Sequence, residues 1–62
     1  MNNIKKLLKA KDMTLEDLAG LVGYSSRHMR YLMNNEREPN RLLAREIAYI
    51  LTGDGDERNV WP

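Results

Sequence analysis

The sequence predicts one all-α domain, with four short helices followed by an irregular C-terminal tail. Apolar residues recur with helical spacing in four separate stretches, and capping or turn residues separate those stretches. The chain has only 62 residues, which is enough for one domain but too few for a deep catalytic pocket. It also lacks cysteine, so its stability must come from apolar packing or from oligomerisation rather than from disulfides or a cysteine-rich zinc site.

The first helix is predicted for residues 3–11. Its apolar face combines Ile4, Leu7 and Leu8 with the aliphatic stem of Lys11, at the spacing of an amphipathic helix. The other lysines point outward: Lys5, Lys6 and Lys9. This alternation leaves no apolar run long enough for a signal peptide or a membrane span, which favours a cytoplasmic protein with no membrane partner.

The second helix is predicted to begin near Leu15, because Thr14 and Asp17 have the spacing of a capping box. Its apolar stripe consists of Leu15, Leu18, Ala19 and Val22. Gly23 ends it, since glycine tolerates the left-handed conformation common after a helix. A helix of barely two turns that contains Gly20 needs tertiary support.

Ser25 is a good N-cap for a third helix that reaches about residue 34. At 100° per residue, one side of this helix carries Met29, Leu32, Met33 and, at its margin, His28. The opposite side is polar, cationic and free of carboxylates: Ser26, Arg27, Arg30, Tyr31 and Asn34. The methionines are interpreted as core residues that fill gaps, and the lone histidine as a surface or half-buried residue rather than a metal ligand.

Residues 35–39 must form a loop, because Pro39 disfavours helical geometry in the residue before it, and Asn40 can then cap a fourth helix to about residue 51. The inner stripe of that helix is Leu43, Ile47, Ile50 and Leu51. Turn-forming residues follow at positions 52–56, and the tail is expected to be irregular. Trp61 could cover the open side of the core or join a dimer contact.

Charge is unevenly distributed along the chain. Residues 24–45 contain five arginines against two glutamates, whereas the tail after residue 52 is mainly acidic. The arginines could simply keep a helical surface soluble, or they could form an anion-binding surface.

Two short helices joined by a glycine-containing turn are typical of a helix-turn-helix unit. The segment MTLEDLAGLVGYSSRHMRYLMNNEREP, followed by LLAREIAYIL, resembles the Cro and lambda-repressor-like family. Ala19, Gly23 and Met29, at spacings of four and six, carry the motif. The resemblance implies a DNA-binding domain over residues 1–52, with the helix-turn-helix at about 15–34 and a tail at 53–62. The short chain and its NVWP ending also resemble small phage or prophage regulators.

The chain departs from the family pattern at two positions. Leu15 stands where the family often has a glutamine that touches a phosphate and braces the recognition helix, and leucine has no polar group for that contact. Asn35 stands where the following loop often has glycine. Asparagine tolerates the left-handed conformation better than most residues, so this difference should be mild.

The resemblance implies two sets of contacts to double-stranded DNA. The expected base contacts come from Ser26, Arg27, Arg30, Tyr31 and Asn34, with Tyr31 also able to meet the backbone or serve in packing. The expected phosphate contacts come from Asn35, Arg37, Asn40 and Arg41, with Lys5 and Lys6 as weaker candidates. Arginine can bond guanine and asparagine can bond adenine through two hydrogen bonds, and a helix start favours an anion.

The leading hypothesis is a transcriptional repressor that binds a pseudo-palindromic operator as a homodimer, because one helix reads too few bases for adequate specificity. The alternative is a protein-binding module, such as an antitoxin or accessory factor, that uses the apolar tail around Val60 and Trp61. An enzyme is the least favoured class, since no catalytic set, phosphate-binding glycine loop or metal cluster is evident, and Glu16 with Asp17 suits a helix start. No cofactor, metal or small-molecule substrate is expected.

Overall fold

A computed structural model describes residues 1–62, and all of its regular structure is helical. Helix α1 spans Ile4–Ala10, α2 Leu15–Val22, α3 Ser26–Met33 and α4 Arg41–Thr52, and a short 3₁₀ helix spans Glu57–Asn59. The predicted all-α architecture of four helices is therefore confirmed. None of the helices is long and apolar enough to cross a membrane.

Local hydrogen bonds fix the start of three helices as the sequence predicts. In the capping box of α2, Thr14 Oγ1 accepts a bond from the Asp17 amide at 3.0 Å, and the Thr14 amide donates to Asp17 Oδ2 at 3.1 Å. Ser25 caps α3 by accepting from the His28 amide, and Asn40 caps α4 by accepting from the Leu43 amide at 2.8 Å. These bonds satisfy amides that have no partner within the first turn of a helix.

Left-handed residues end two of the helices. Gly23 follows α2 with φ of 77°, and Gly53 follows α4 with φ of 80°. Asn35, in the loop after α3, has φ of 60°, which confirms that asparagine adopts the conformation expected there. The turn between α2 and α3 therefore occupies only residues 23–25.

One apolar core joins all four helices. Its fully buried members include Ile4 from α1, Leu18 from α2, Met29 from α3 and Ile47 from α4. The predicted apolar residues of the four helices are buried with four exceptions, which are only partly buried against this core: Leu7, Val22, Met33 and Ile50. Lys11 differs from its predicted role: it is the exposed residue that ends α1, so its stem adds nothing to the apolar face.

The C-terminal tail is more ordered than the sequence predicts. It forms the 3₁₀ helix, and Val60 directly after it has no exposed surface and belongs to the core. Trp61 is partly buried against the same core, which agrees with the first of its two predicted roles. Asp56 starts the 3₁₀ helix, and its hydrogen bonds from the Arg58 side chain and amide hold the pKa of this carboxyl below its usual range.

The N-terminus connects the tail to the end of α3. The Asn3 amide donates to the Val60 carbonyl at 2.8 Å. Asn2 Nδ2 lies 2.9 Å from the Leu32 carbonyl and 2.9 Å from Asn35 Oδ1. The two ends of the chain thus meet, and the first residues fix the position of the loop that follows α3.

Candidate nucleic-acid interface

The outer face of α3 is the centre of the candidate interface. Arg27, Arg30 and Asn34 are exposed, and Ser26 and Tyr31 are half-buried. On the opposite side of the helix Met29 and Leu32 are buried without exposed surface, so α3 is anchored by its apolar side and presents the other side to solvent. A helix held in this way can enter a major groove without rearrangement of the core.

Arg30 has one acidic neighbour that the sequence analysis did not identify. Its Nη2 atom lies 3.9 Å from Glu16 Oε2 on α2, and both side chains are more than half exposed, at 59% and 63%. An exposed pair at this distance contributes little to stability. It does place the guanidinium of Arg30 beside α2. Because Glu16 also suits the start of a helix, its sequence position alone gave no sign of this contact.

Tyr31 contacts a second arginine, Arg37, through its ring. The Arg37 guanidinium lies over the Tyr31 ring, 5.2 Å from its centroid. The Glu36 amide donates to the Tyr31 carbonyl at 2.8 Å, so the loop folds back over the last turn of α3. Arg37, predicted to contact phosphate, is therefore brought next to the face predicted to contact bases.

Tyr24 and His28 form a stacked pair at the start of α3. Their ring centroids are 5.0 Å apart with an interplanar angle of 26°. His28 is half-buried, in agreement with the role predicted for it. Across the whole chain, histidine and acidic side chains nowhere gather in a group of three or more that could hold a metal ion.

Two asparagines after α3 have partners within the protein. Asn34 Nδ2 lies 3.5 Å from Glu36 Oε2, at the limit of a hydrogen bond, so little energy is needed to free this amide for another partner. Asn35 accepts from Asn2, which fixes its side chain with the oxygen engaged and the amide nitrogen still available. Asn2 was not predicted as part of the site, and its bonds to residues 30 or more positions away leave no local pattern.

The start of α4 contains two of the residues predicted to bind phosphate, Asn40 and Arg41. Asn40 uses its side-chain oxygen as the cap, which leaves its amide group able to donate. The amides of Arg41 and Leu42 precede the first intrahelical bond of α4, and the Arg41 side chain is exposed. The first residues of this helix therefore carry backbone amides, a side-chain amide and an exposed arginine that can each donate hydrogen bonds.

Lys5 and Lys6 lie in the first turn of α1 and are exposed. Asn2 binds the end of α3 only three or four residues earlier, and a helix rises about 1.5 Å per residue. The two lysines therefore lie on a helix that begins beside the loop after α3. Leu15 is buried, so its side chain cannot contact a phosphate.

Comparison of the chain with family models, curated proteins and solved structures gave no match. The candidate interface thus depends on the geometry of this chain alone.

Proposed function

We propose that the protein is a sequence-specific DNA-binding regulator of the repressor type, in which α3 reads base edges in the major groove. The observation that carries the proposal is the outer face of α3. It presents Arg27 and Arg30 without any carboxylate on the same helix, and its opposite side is firmly anchored in the core. Such a face suits the hydrogen-bond acceptors of guanine and the negative charge of the duplex.

In this proposal, base edges are read by Arg27, Arg30 and Asn34, with contributions from Ser26 and Tyr31. Arg37 binds a phosphate from its place over the Tyr31 ring, which restricts the guanidinium before DNA arrives. Asn35, Asn40, Arg41 and the two lysines of α1 bind further phosphates around the recognition helix. These contacts set the position of α3 on the duplex, and the base contacts provide discrimination.

The proposal includes a homodimer on a pseudo-palindromic site, acting in the cytoplasm without a cofactor or a catalytic step. The Cα atoms extend 24 × 23 × 20 Å, so two copies can lie side by side on half-sites about 34 Å apart. Two recognition helices double the number of base contacts available to so short a chain.

The test is selection of bound sequences from a random duplex library, followed by affinity measurements on the selected and a scrambled duplex. We expect a palindromic motif bound about a thousandfold tighter than scrambled DNA. Arg30→Ala should weaken binding to the motif by about 1–3 kcal/mol and relax the preference at one base position.

Lys9→Ala is the matched control, because it removes one exposed positive charge from α1, outside the candidate contacts. It should lower affinity for both duplexes by a similar small factor. If selection enriches no motif, or if Arg30→Ala and Lys9→Ala weaken both duplexes equally, binding is only electrostatic and the proposal fails.

A protein-binding module is the second candidate function, and the exposed apolar residues of α4 favour it. The tail is a poor surface for this role, because Val60 has no exposed area. Leu42 and Tyr49, in contrast, are 69% and 66% exposed. Under this alternative, alanines at Arg27 and Arg30 would leave biological activity intact, whereas substitutions at Leu42 and Tyr49 would abolish it.

A further inference from the structure

The side chain of Asn2 connects the start of α1 with the end of α3. Its oxygen, Oδ1, accepts from the Ile4 amide at 3.1 Å, and this amide is one of those without a partner in the first turn of α1. Its nitrogen, Nδ2, lies 2.9 Å from the Leu32 carbonyl and 3.2 Å from the Met33 carbonyl. The same nitrogen lies 2.9 Å from Asn35 Oδ1. Both polar atoms of Asn2 therefore have partners within the protein.

These partners allow only one orientation of the Asn2 amide group. The Ile4 amide can only donate a hydrogen bond, whereas the carbonyls of Leu32 and Met33 can only accept one. Turning the group over would place its oxygen against the two carbonyls and its nitrogen against the Ile4 N–H group, and the bonds to all three would be lost. The atom of Asn2 that faces Asn35 is therefore a donor.

The orientation of Asn2 determines that of Asn35. Because Asn2 presents a donor, the Asn35 amide group must turn its oxygen toward Asn2 and its nitrogen away from it. Asn35 is exposed, and its Nδ2 atom makes no hydrogen bond within the protein. The N–H groups of Asn35 are thus available to a ligand directly after α3.

Charge alone does not explain how this part of the loop could bind a phosphate. Residues 35–39 contain two glutamates against one arginine, so the formal net charge of the segment is negative. A phosphate beside Asn35 therefore depends on the direction of a neutral amide group, since its N–H groups attract an anion and its oxygen repels one.

We propose that Asn2 is a positioning residue for DNA binding, which holds the Asn35 amide group with Nδ2 directed at a phosphate of the duplex. Asn2 itself does not touch the DNA. The inference rests on the proposed function for the place of the duplex against α3. It requires a phosphate rather than a particular base sequence, so it applies to any duplex that α3 approaches.

The test is a double-mutant cycle on DNA affinity with Asn2→Asp and Asn35→Gly. Asn2→Asp keeps an acceptor for the Ile4 amide but replaces the donor by an oxygen, so Asn35 must turn over and present its own oxygen to the DNA. This variant should bind the selected duplex about tenfold more weakly than the native chain. Glycine suits the φ of 60° at position 35 and removes the side chain whose orientation is in question.

Asn3→Asp is the matched control, because it adds the same negative charge at the neighbouring position. Its side chain makes only a long bond of 3.4 Å to the Asn59 carbonyl, so the substitution removes little structure. In the Asn35→Gly background, Asn2→Asp should weaken DNA binding no more than Asn3→Asp does. Circular dichroism checks that each variant is folded at the temperature of the measurement.

A purely structural role for Asn2 predicts a different result. If Asn2 only holds the carbonyls at the end of α3, Asn2→Asp weakens DNA binding by the same factor with and without the Asn35 side chain. Equal effects in the two backgrounds would therefore overturn the inference.

The side-chain amide signals in NMR spectra supply a readout that needs no variant. In the free native protein, the amide protons of Asn2 should exchange with water more slowly than those of Asn35, because only the former are hydrogen-bonded. Added duplex should slow the exchange of the Asn35 protons. Equal exchange of the two groups in the free protein, or Asn35 protons that do not respond to DNA, would also overturn the inference.

The scrambled duplex separates this inference from the proposed function. Coupling between Asn2 and Asn35 on both duplexes, with no enriched motif, supports the role of Asn2 and rejects sequence-specific reading by α3. A motif that the native chain binds specifically, with no coupling between the two asparagines, retains the proposed function and overturns the role of Asn2.

Discussion

At the scale of single residues, the contact between Arg30 on α3 and Glu16 on α2 affects the candidate interface. The Arg30 guanidinium is the candidate for guanine recognition, yet in the free protein it lies 3.9 Å from the Glu16 carboxylate. DNA binding would bring a phosphate backbone close to that carboxylate. Glu16 therefore opposes binding in two ways: it competes for Arg30 and it repels the duplex.

We expect Glu16→Gln to tighten DNA binding by about threefold to tenfold at low salt, and by less as salt screens the repulsion. The amide keeps the size of the side chain and removes its charge. Affinity for the selected duplex, measured at two salt concentrations, checks this.

Asp12→Asn is the control for Glu16→Gln. It removes one negative charge from an exposed position with φ of 55°, which asparagine tolerates. If both variants tighten binding equally, net charge alone explains the effect and the Glu16 contact has no special role.

At the scale of elements, the two glycines of α2 differ in backbone conformation, so replacing each with alanine should change stability differently. Gly20 lies within the helix and Gly23 ends it, and a Cβ added to either would meet no atom within 4 Å. Sterically the two positions are alike, but Gly23 has φ of 77° and Gly20 has no positive φ. Backbone conformation is therefore the only feature that separates these substitutions.

Gly20→Ala should raise the free energy of unfolding by up to about 1 kcal/mol, because alanine loses less conformational freedom than glycine on joining a helix. Gly23→Ala should lower the free energy of unfolding by about 1–2 kcal/mol, because alanine is strained in the left-handed region. Urea denaturation of the native chain and both variants measures the two changes. Effects of the same sign would contradict the conformations assigned to these glycines.

Elements were the part of the fold that the sequence predicted well. Each cap depends on residues three positions apart, as with Thr14 and Asp17, so the pattern is visible in a short window. Helix periodicity likewise identified the buried side of α3 and, by exclusion, its candidate DNA-binding face. The contact between Arg30 and Glu16 could not be predicted, because it depends on how two helices pack and no residue spacing within either helix shows that.

At the scale of the whole molecule, the sequence did not predict the contacts that the first residues make with the tail and with the end of α3. Asn3 bonds the Val60 carbonyl across 57 positions, and Asn2 bonds the end of α3 across 30 or more. Side chains such as these carry no periodic pattern, and a tail with turn-forming residues gave no sign that Val60 would enter the core. These bonds and the burial of Val60 tie both ends of the chain to the small core that 62 residues can form.

The tail should therefore be a structural part of the domain rather than an appendage. Val60→Ala removes two methyl groups from a fully buried site and should lower the free energy of unfolding by about 1–3 kcal/mol. The free energy of unfolding of a domain of this length is only about 3–9 kcal/mol, so the variant should lose much of its stability. Deletion of the exposed Pro62 is the control and should change stability by less than about 0.5 kcal/mol.

Amide hydrogen exchange would show which parts of the domain Val60→Ala destabilises. Because the Asn3 amide bonds the Val60 carbonyl, its protection should fall in Val60→Ala by at least as much as the global stability does. The end of α3 should lose protection as well, since Asn2 connects the same segment to Leu32. If stability and Asn3 protection both stayed at native values, the tail would not be packed against the core. The loop after α3 would then need another source of its fixed position, so this experiment also bears on how the candidate interface is held before DNA binds.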